Sequence, residues 1–350
     1  MRVCVNIGMC SEYWTTLHDP ISGTKVVQKP FRIALARKDC SDWRQTESLM
    51  AGAEAFLKTL LPARLKDAPE GERYLSKDSA LLRRGALAFA DTCARCHSSK
   101  QPPSGTASDW YRTAVLQPDF LDGNFLSDDK RYPVSELGTN IGRAMATNAL
   151  QGHVWDEFSS QTYKELPPAG KLTGLYNPVK PSKPIQFQPP AGGRGYYRTP
   201  TLAGIWATAP YLHNNSVGLF NADPSVSGRI AAYNDAMQKL LWPHKRLGVQ
   251  SIWTTTEDSQ VPLESGYKLK VKKGTPVNLI ANINAPELQL LRNDNFFTRI
   301  IARLLGTGLL NNVLLRNNLA PDFVVDRGHT YGNELSDADK QALIEYVRTF

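Results

Sequence analysis

Residues 79–97 read SALLRRGALAFADTCARCH. Leu81, Leu82, Ala86, Phe89 and Ala90 recur at helical spacing, which predicts a helix over about 78–92. The pentapeptide Cys93-Ala94-Arg95-Cys96-His97 sits directly at its end. Two thiols spaced C-x-x-C can add to the two vinyl groups of a haem. A histidine immediately after them is then placed under the iron. The stretch therefore predicts one covalently attached haem c, bonded through Cys93 and Cys96, with His97 as an axial ligand.

Three rival readings of CARCH are weaker. With five Cys and six His in 350 residues, chance supplies the pattern in roughly one chain in a thousand. A structural zinc needs four ligands, usually a second pair at short spacing. Cys4 and Cys10 are spaced more widely than that and lie far upstream. A thioredoxin-like redox pair opens a helix after a strand, where the helix dipole lowers the thiol pKa. Here the motif closes a helix.

The C-terminal end carries the next clearest element. Ser336 with Asp339 three residues on forms a capping-box pattern. Leu343, Ile344, Val347 and Phe350 then make one apolar stripe on a helix expected over about 337–349. A helix bearing a Gly and an aromatic, leading into CxxCH and crossed by a last helix, resembles the plan of class I cytochromes c. Gly85 and Phe89 precede Cys93 at intervals of four, and the last helix offers Leu343 and Tyr346. The resemblance implies a mainly α, expanded class I cytochrome c-like domain with long loops. Residues 76–350 are read as this haem-binding domain with long insertions. Residues 1–75 are read as an N-terminal segment, either packed on it or the end of a missing first haem domain.

Iron in such a domain takes a second axial ligand or keeps an open site. The candidates after the motif are Met145, Met237, His153, His213, His244 and His329. In the cytochrome c plan the distal ligand comes from a loop shortly before the last helix, which favours His329. Met145 and Met237 have helical settings and read as core. His213, flanked by Trp206 and Tyr211, is read as lining the haem edge or as a buried histidine tied to the backbone. Arg198 suits a haem propionate, because Arg holds carboxylates with a two-pronged fork. Arg95 is expected to face solvent.

Elsewhere the patterns are thinner. Residues 48–61 have helical spacing, with Leu49, Ala53, Phe56, Leu57 and Leu60 on one side and Pro62 as a stop. Residues 135–150 and 296–316 also read as helical, and 178–200 as having little regular structure. Alternation at Tyr267, Leu269 and Val271 predicts a small β-hairpin within 265–282. Hydrophobic residues make up 41% and charged residues 21% of the chain, enough to build a packed core. The net charge of +8 reads first as a solvated basic face, and can steer acidic protein partners or anionic surfaces. No Lys/Arg run interleaved with aromatics points to nucleic acid, and no apolar stretch reaches the ~20 residues that span a membrane.

The start, MRVCVNIGMCSEYW, lacks the long apolar run and small-residue cleavage site of a secretory signal. A thioether haem is normally attached outside the cytoplasm, so a periplasmic or secreted protein is expected, its signal lying outside this chain. Cys4, Cys10 and Cys40 remain after the motif. They leave room for one disulfide and one free thiol in an oxidising compartment.

The segment RTPTLAGIWATAPYLHNNS, 198–216, resembles the RTPxL…APYxHDG segment of the bacterial di-haem peroxidase superfamily. A likeness to its rubber-oxygenase-like branch extends further. It takes in NIGMCSEYW (6–14), LKDAPEGERYL (65–75), FADTCARCHSSKQP (89–102) and TNALQGHVWDEFSS (147–160). It continues through WATAPYLHNNSV (206–217), KKGTPVNLIANIN (272–284) and RGHTYGNELSDADKQALIEYVRT (327–349). That branch has two cytochrome c domains, one haem reactive and the other a six-coordinate electron relay. The resemblance implies that CARCH is the second haem motif and that its haem takes two histidines, here His97 and His329. The chain has no other CxxCH, so a domain carrying the first haem is expected upstream of residue 1. Two functions follow as expectations. One is electron transfer with a redox protein or that upstream domain. The other is a haem peroxidase or oxygenase with an open distal site, drawing on His213, Trp206 and Arg198, with Trp110 or Trp155 as electron-hopping aromatics.

Overall fold

The computed structural model describes residues 32–60, 62–106, 109–139, 160–175, 182–188, 195–248, 254–262, 268–271 and 326–350, with positions 141, 144, 157, 273 and 274. Within these the chain is mainly helical with few short strands. The helices are α1 (Ile33–Asp39), α2 (Ser41–Thr59), α3 (Ser79–Thr92), α4 (Trp110–Ala114), α5 (Val134–Leu137), α6 (Gln161–Lys164), α7 (Ile205–Thr208), α8 (Val226–Leu241) and α9 (Asp337–Val347). The strands are β1 (Arg131–Pro133), β2 (Leu172–Leu175), β3 (Ile185–Phe187), β4 (Tyr196–Arg198), β5 (Ser259–Pro262) and β6 (Lys268–Val271). They pair antiparallel as β1–β4, β2–β3 and β5–β6.

The chain forms two compact units. One gathers Leu61–Asn140, Tyr196–Ser251 and Val325–Phe350, and holds CARCH and α9. Its core begins at α3. The Asp78 side chain caps this helix, accepting from the N–H groups of Ala80 (2.9 Å) and Leu81 (3.0 Å). The helix buries Gly85, Ala86, Ala88, Phe89 and Ala90. At α9, Ser336 accepts from the Asp339 N–H at 3.2 Å, as the capping pattern predicts. Leu343, Ile344, Val347 and Phe350 are all buried.

α9 crosses α3 where Gly85 leaves room for the backbone of Ala342. Phe89, fully buried, is the hub of the crossing. Its ring meets Phe350 edge-on at 5.1 Å and Phe120 edge-on at 6.5 Å, and lies tilted on Tyr346 at 5.7 Å. Burying an aromatic of this size contributes about 2–3 kcal/mol, and such ring geometries add about 1 kcal/mol. The helical setting of Met237 extends to the whole of α8, which buries Ile230, Tyr233, Met237 and Leu241 on this core. The Tyr233 hydroxyl donates to the Ile344 carbonyl at 2.7 Å and ties α8 to α9.

The other unit draws on Met1–Leu60, Ile141–Gly195 and Ile252–Val324. Its long helix, α2, begins seven positions before the expected start, because Cys40 serves as its N-cap and accepts from the Trp43 N–H at 3.4 Å. α2 buries Trp43. The expected apolar side does not become core: Leu49, Phe56, Leu57 and Leu60 are exposed. The predicted hairpin exists with a different partner strand. Leu269 pairs with Val261, so the hairpin covers 259–271 rather than 265–282. The stretch 178–200 holds two short strands, β3 and β4, where little regular structure is expected. Of the 135–150 helix, α5 is described, and Gly138 at φ 58° closes it in the left-handed region. The helix expected over 296–316 lies outside the described residues, as do Tyr267, Met145, His153 and Trp155. No helix among the described residues is long and apolar enough to cross a membrane.

Candidate functional site

The site is built where α3 runs into CARCH. The Cys93 and Ala94 N–H groups both donate to the Phe89 carbonyl, at 2.8 and 2.9 Å. The Cys96 and His97 N–H groups donate to the Cys93 carbonyl, at 3.1 and 2.8 Å. The turn therefore continues the coil of α3, and residues three apart on such a coil lie side by side. Cys93 and Cys96 form no disulfide. Burial, with the nearby Cys96, pushes the Cys93 thiol up to about 12. A reactive redox cysteine needs the opposite shift, so Cys93 does not have the electrostatics of a redox nucleophile.

After His97 the chain is fixed by Asn124, which is nearly fully buried. Its carbonyl oxygen accepts from Ser99 N (3.0 Å), Ser99 Oγ (3.2 Å) and Leu126 N (2.9 Å). Its amide donates to Ser98 Oγ (3.1 Å) and the Phe120 carbonyl (3.2 Å). No sequence signal marks this residue, since an asparagine in a loop is ordinarily a turn former.

The segment 199–202 then runs along 125–130. Thr199 N donates to the Lys130 carbonyl (3.1 Å), Thr201 Oγ1 to the Phe125 carbonyl (2.6 Å) and Leu202 N to the Leu126 carbonyl (3.3 Å). Ser127 Oγ donates to the Thr199 carbonyl at 2.8 Å. This brings the Pro200 and Leu126 carbonyls near enough to His97 to favour its protonated form. Burial outweighs them, and the ring is held below the usual histidine range. Asp128 completes this side. Its N–H donates to the Cys96 carbonyl at 2.8 Å, and its carboxylate accepts from the Tyr132 hydroxyl at 2.5 Å.

Across from His97 stands His329, supplied by the loop just before α9. The two rings have centroids 6.3 Å apart and planes at 49°. Neither Nδ1 makes a hydrogen bond, and both are buried. Burial, with His97 and Arg246 nearby, lowers His329 to about 4. Both rings are therefore neutral at pH 7, the state in which an imidazole nitrogen can bond a metal. Two metal–imidazole bonds of about 2.0–2.1 Å, each with about 1.2 Å from nitrogen to ring centre, span about 6.4 Å. The ring separation fits one iron atom held between the two histidines.

The remaining expected site residues have the following partners. Arg198 is at the end of β4, largely exposed and ion-paired with Asp129. His213 stacks on Tyr197, with centroids 6.3 Å apart and planes at 25°. Tyr197 lies opposite Tyr132 in the β1–β4 pair. Trp206 is buried and donates to the Ala63 carbonyl at 2.7 Å. Trp110 meets Tyr111 edge-on at 5.1 Å. Met237 is core, His244 is exposed in a short 3₁₀ turn, and Arg95 is exposed beside Glu136 at 3.3 Å. Arg246, which sequence reasoning missed, packs on the backbone of His329 itself.

The segment 195–222, which walls His97 through Pro200, matches the family model described as "RoxA-like, cytochrome c-like". The chain is also similar to the uncharacterized protein y4iJ of Sinorhizobium fredii, 27% identical over 169 residues. That match covers 44% of this chain and 27% of that protein. The chain thus spans about a quarter of the length of the curated relative it matches. No solved structure matches.

Proposed function

We propose that this chain is a c-type cytochrome domain, lying within residues 76–350, that holds one haem covalently and transfers electrons. The observation that carries the reading is the pairing of CARCH with a second histidine whose Nδ1 is buried and whose ring lies 6.3 Å from that of His97. In it Cys93 and Cys96 would anchor the haem covalently, and His97 and His329 would hold its iron. The bound haem supplies an iron that accepts and gives up one electron at a time. The protein's own residues do the rest. Burial keeps both imidazoles unprotonated. The Phe89 cluster and the Asn124 network hold the motif turn in place. With both histidines on the iron, no position would be left for oxygen or peroxide, which favours a relay over an activating centre.

The partner in this reading is a redox protein or an upstream haem domain. The RoxA-like match at 195–222 favours the second, with this domain as the six-coordinate relay of a larger di-haem oxidoreductase. The compartment is the periplasm or the exterior, consistent with the disulfide at Cys40.

The test is the visible spectrum of ferric and dithionite-reduced protein, produced with haem maturation, with and without CO. The expected spectrum is low-spin and indifferent to CO. His329→Ala should make it high-spin and CO-reactive. A high-spin native spectrum, or one that His329→Ala leaves unchanged, would overturn the reading.

A further inference from the structure

Resting on the two-histidine reading above, we infer that Arg246 is a positioning residue that holds His329 in its ligating conformation. His329 sits at φ 44°, in the left-handed region that a side-chain-bearing residue rarely occupies, and follows Gly328 at φ 133°. Such a conformation costs about 1–3 kcal/mol and persists only where surrounding contacts over-determine it. Thr139 gives one of those contacts, its hydroxyl oxygen accepting from the His329 N–H at 3.1 Å.

Arg246 gives the others. Its Nη1 donates to the Gly328 carbonyl at 2.6 Å, and its Nη2 to the His329 carbonyl at 3.1 Å. The same guanidinium reaches back to the last turn of α8. Nε donates to the Lys239 carbonyl at 2.8 Å, and Nη2 also to the Leu240 carbonyl at 2.9 Å. Carbonyls at a helix C-terminus carry partial negative charge and no partner within the helix, so a cation belongs there. One planar fork thus joins a rigid helix end to the two peptide groups that set the direction of the His329 side chain.

The clasp is reciprocal. Asp326, fully buried three residues before His329, accepts from the N–H groups of Leu247 (2.6 Å) and Gly248 (2.8 Å). The segment after α8 and the segment before α9 therefore grip each other's backbones, and His329 lies at the end of that grip. Lysine cannot reproduce it, because an ammonium is a single point with three donors and no planar fork.

The test uses the full, haem-loaded chain with Arg246→Gln and Arg246→Lys, read by spectrum and by the rate of CO binding to the reduced protein. CO enters when His329 leaves. Losing charged hydrogen bonds to Gly328 and His329 should raise that rate about tenfold or more for Gln, with a smaller rise for Lys. Added imidazole, replacing the missing ring, should restore the low-spin spectrum of His329→Ala. Arg229→Gln is the control. Arg229 donates to the Ala209 carbonyl at 3.0 Å and to Asn221 Oδ1 at 2.9 Å. Its loss should lower thermal stability without changing the CO rate.

Should Arg246→Gln fail to fold, Arg246→Lys decides alone. A CO rate equal to that of the native protein would overturn the inference. So would Arg246 variants that lose stability but keep the native CO rate and spectrum. If His329→Ala leaves the native spectrum unchanged, it is the ligand assignment that fails. If His329→Ala turns high-spin while the Arg246 variants behave as native, only the role of Arg246 fails.

Discussion

Gly85 of α3 lies directly beneath the Ala342 carbonyl of α9. A methyl group built on it would overlap that oxygen and stand 2.7 Å from the Tyr346 Cβ. The obstacle on one side is backbone, which cannot rotate away. The approach of the two helices is therefore set by a missing side chain, and everything that follows α3, including Cys93 and His97, inherits its position. Gly85→Ala should push α9 off and lower stability by about 2–3 kcal/mol, the scale of an overpacked core. Gly52→Ala is the counterpart. Nothing lies within 4 Å of the added methyl, on exposed α2. Relief of glycine's entropy there should raise stability by about 0.5–1 kcal/mol. Denaturant midpoints of the two variants should move in opposite directions. A shift of the same sign for both would refute the packing argument.

Asn124→Ala tests a different kind of constraint. The substitution leaves the Ser99 and Leu126 N–H groups without their acceptor and the Phe120 carbonyl without its donor. A buried group stranded in this way costs about 1–3 kcal/mol, and several share one side chain here. The expected loss is about 3 kcal/mol, with increased hydrogen exchange at Ser99 and Leu126. An unchanged exchange pattern would mean that the loop after His97 is held by other contacts.

The legible parts of this fold are those written locally. The stripe Leu81–Ala90, the Ser336–Asp339 cap and the stripe Leu343–Phe350 each carry their period or cap within a dozen residues, and each becomes the element expected. Other features depend on what the chain meets at long range. α2 has the spacing of a core helix, but spacing names a face and not a partner. Its Leu49 and Phe56 stay exposed. The strand that pairs with Leu269 has no alternating pattern of its own, and pairing alone makes 259–262 a strand. Arg246 and Asn124 act through backbone carbonyls and N–H groups, which are the same at every position and leave no trace in sequence. Arg198 has the chemistry for a propionate, and its Nε donates to a neighbouring carboxylate, Asp129, a partner that spacing does not name.

The ion pair at the start of α9 gives a pH-dependent prediction. Arg84 Nε donates to Asp339 Oδ1 at 2.7 Å, and Ser336 Oγ bonds Oδ2 of the same carboxylate at 2.6 Å. The Arg84 guanidinium first, and the Ser336 hydroxyl second, hold the Asp339 carboxyl below the usual carboxylate range. A depressed pKa in the folded state means that the unfolded chain binds the proton more readily. The stabilisation is therefore fully present above the ordinary aspartate value, near 4, and is lost as pH falls through the lower folded value. Both side chains are solvent-accessible, so the effect is modest and weakens with salt. Arg84→Ala should destabilise the protein at pH 7, and the effect should shrink as pH falls below the ordinary aspartate value toward 2.5. Asp339→Asn should remove the effect of Arg84→Ala at every pH. The measurement is a double-mutant cycle by urea unfolding at both pH values. A coupling as large at pH 2.5 as at pH 7 would show that Arg84 acts through packing on α9 rather than through the charge of Asp339.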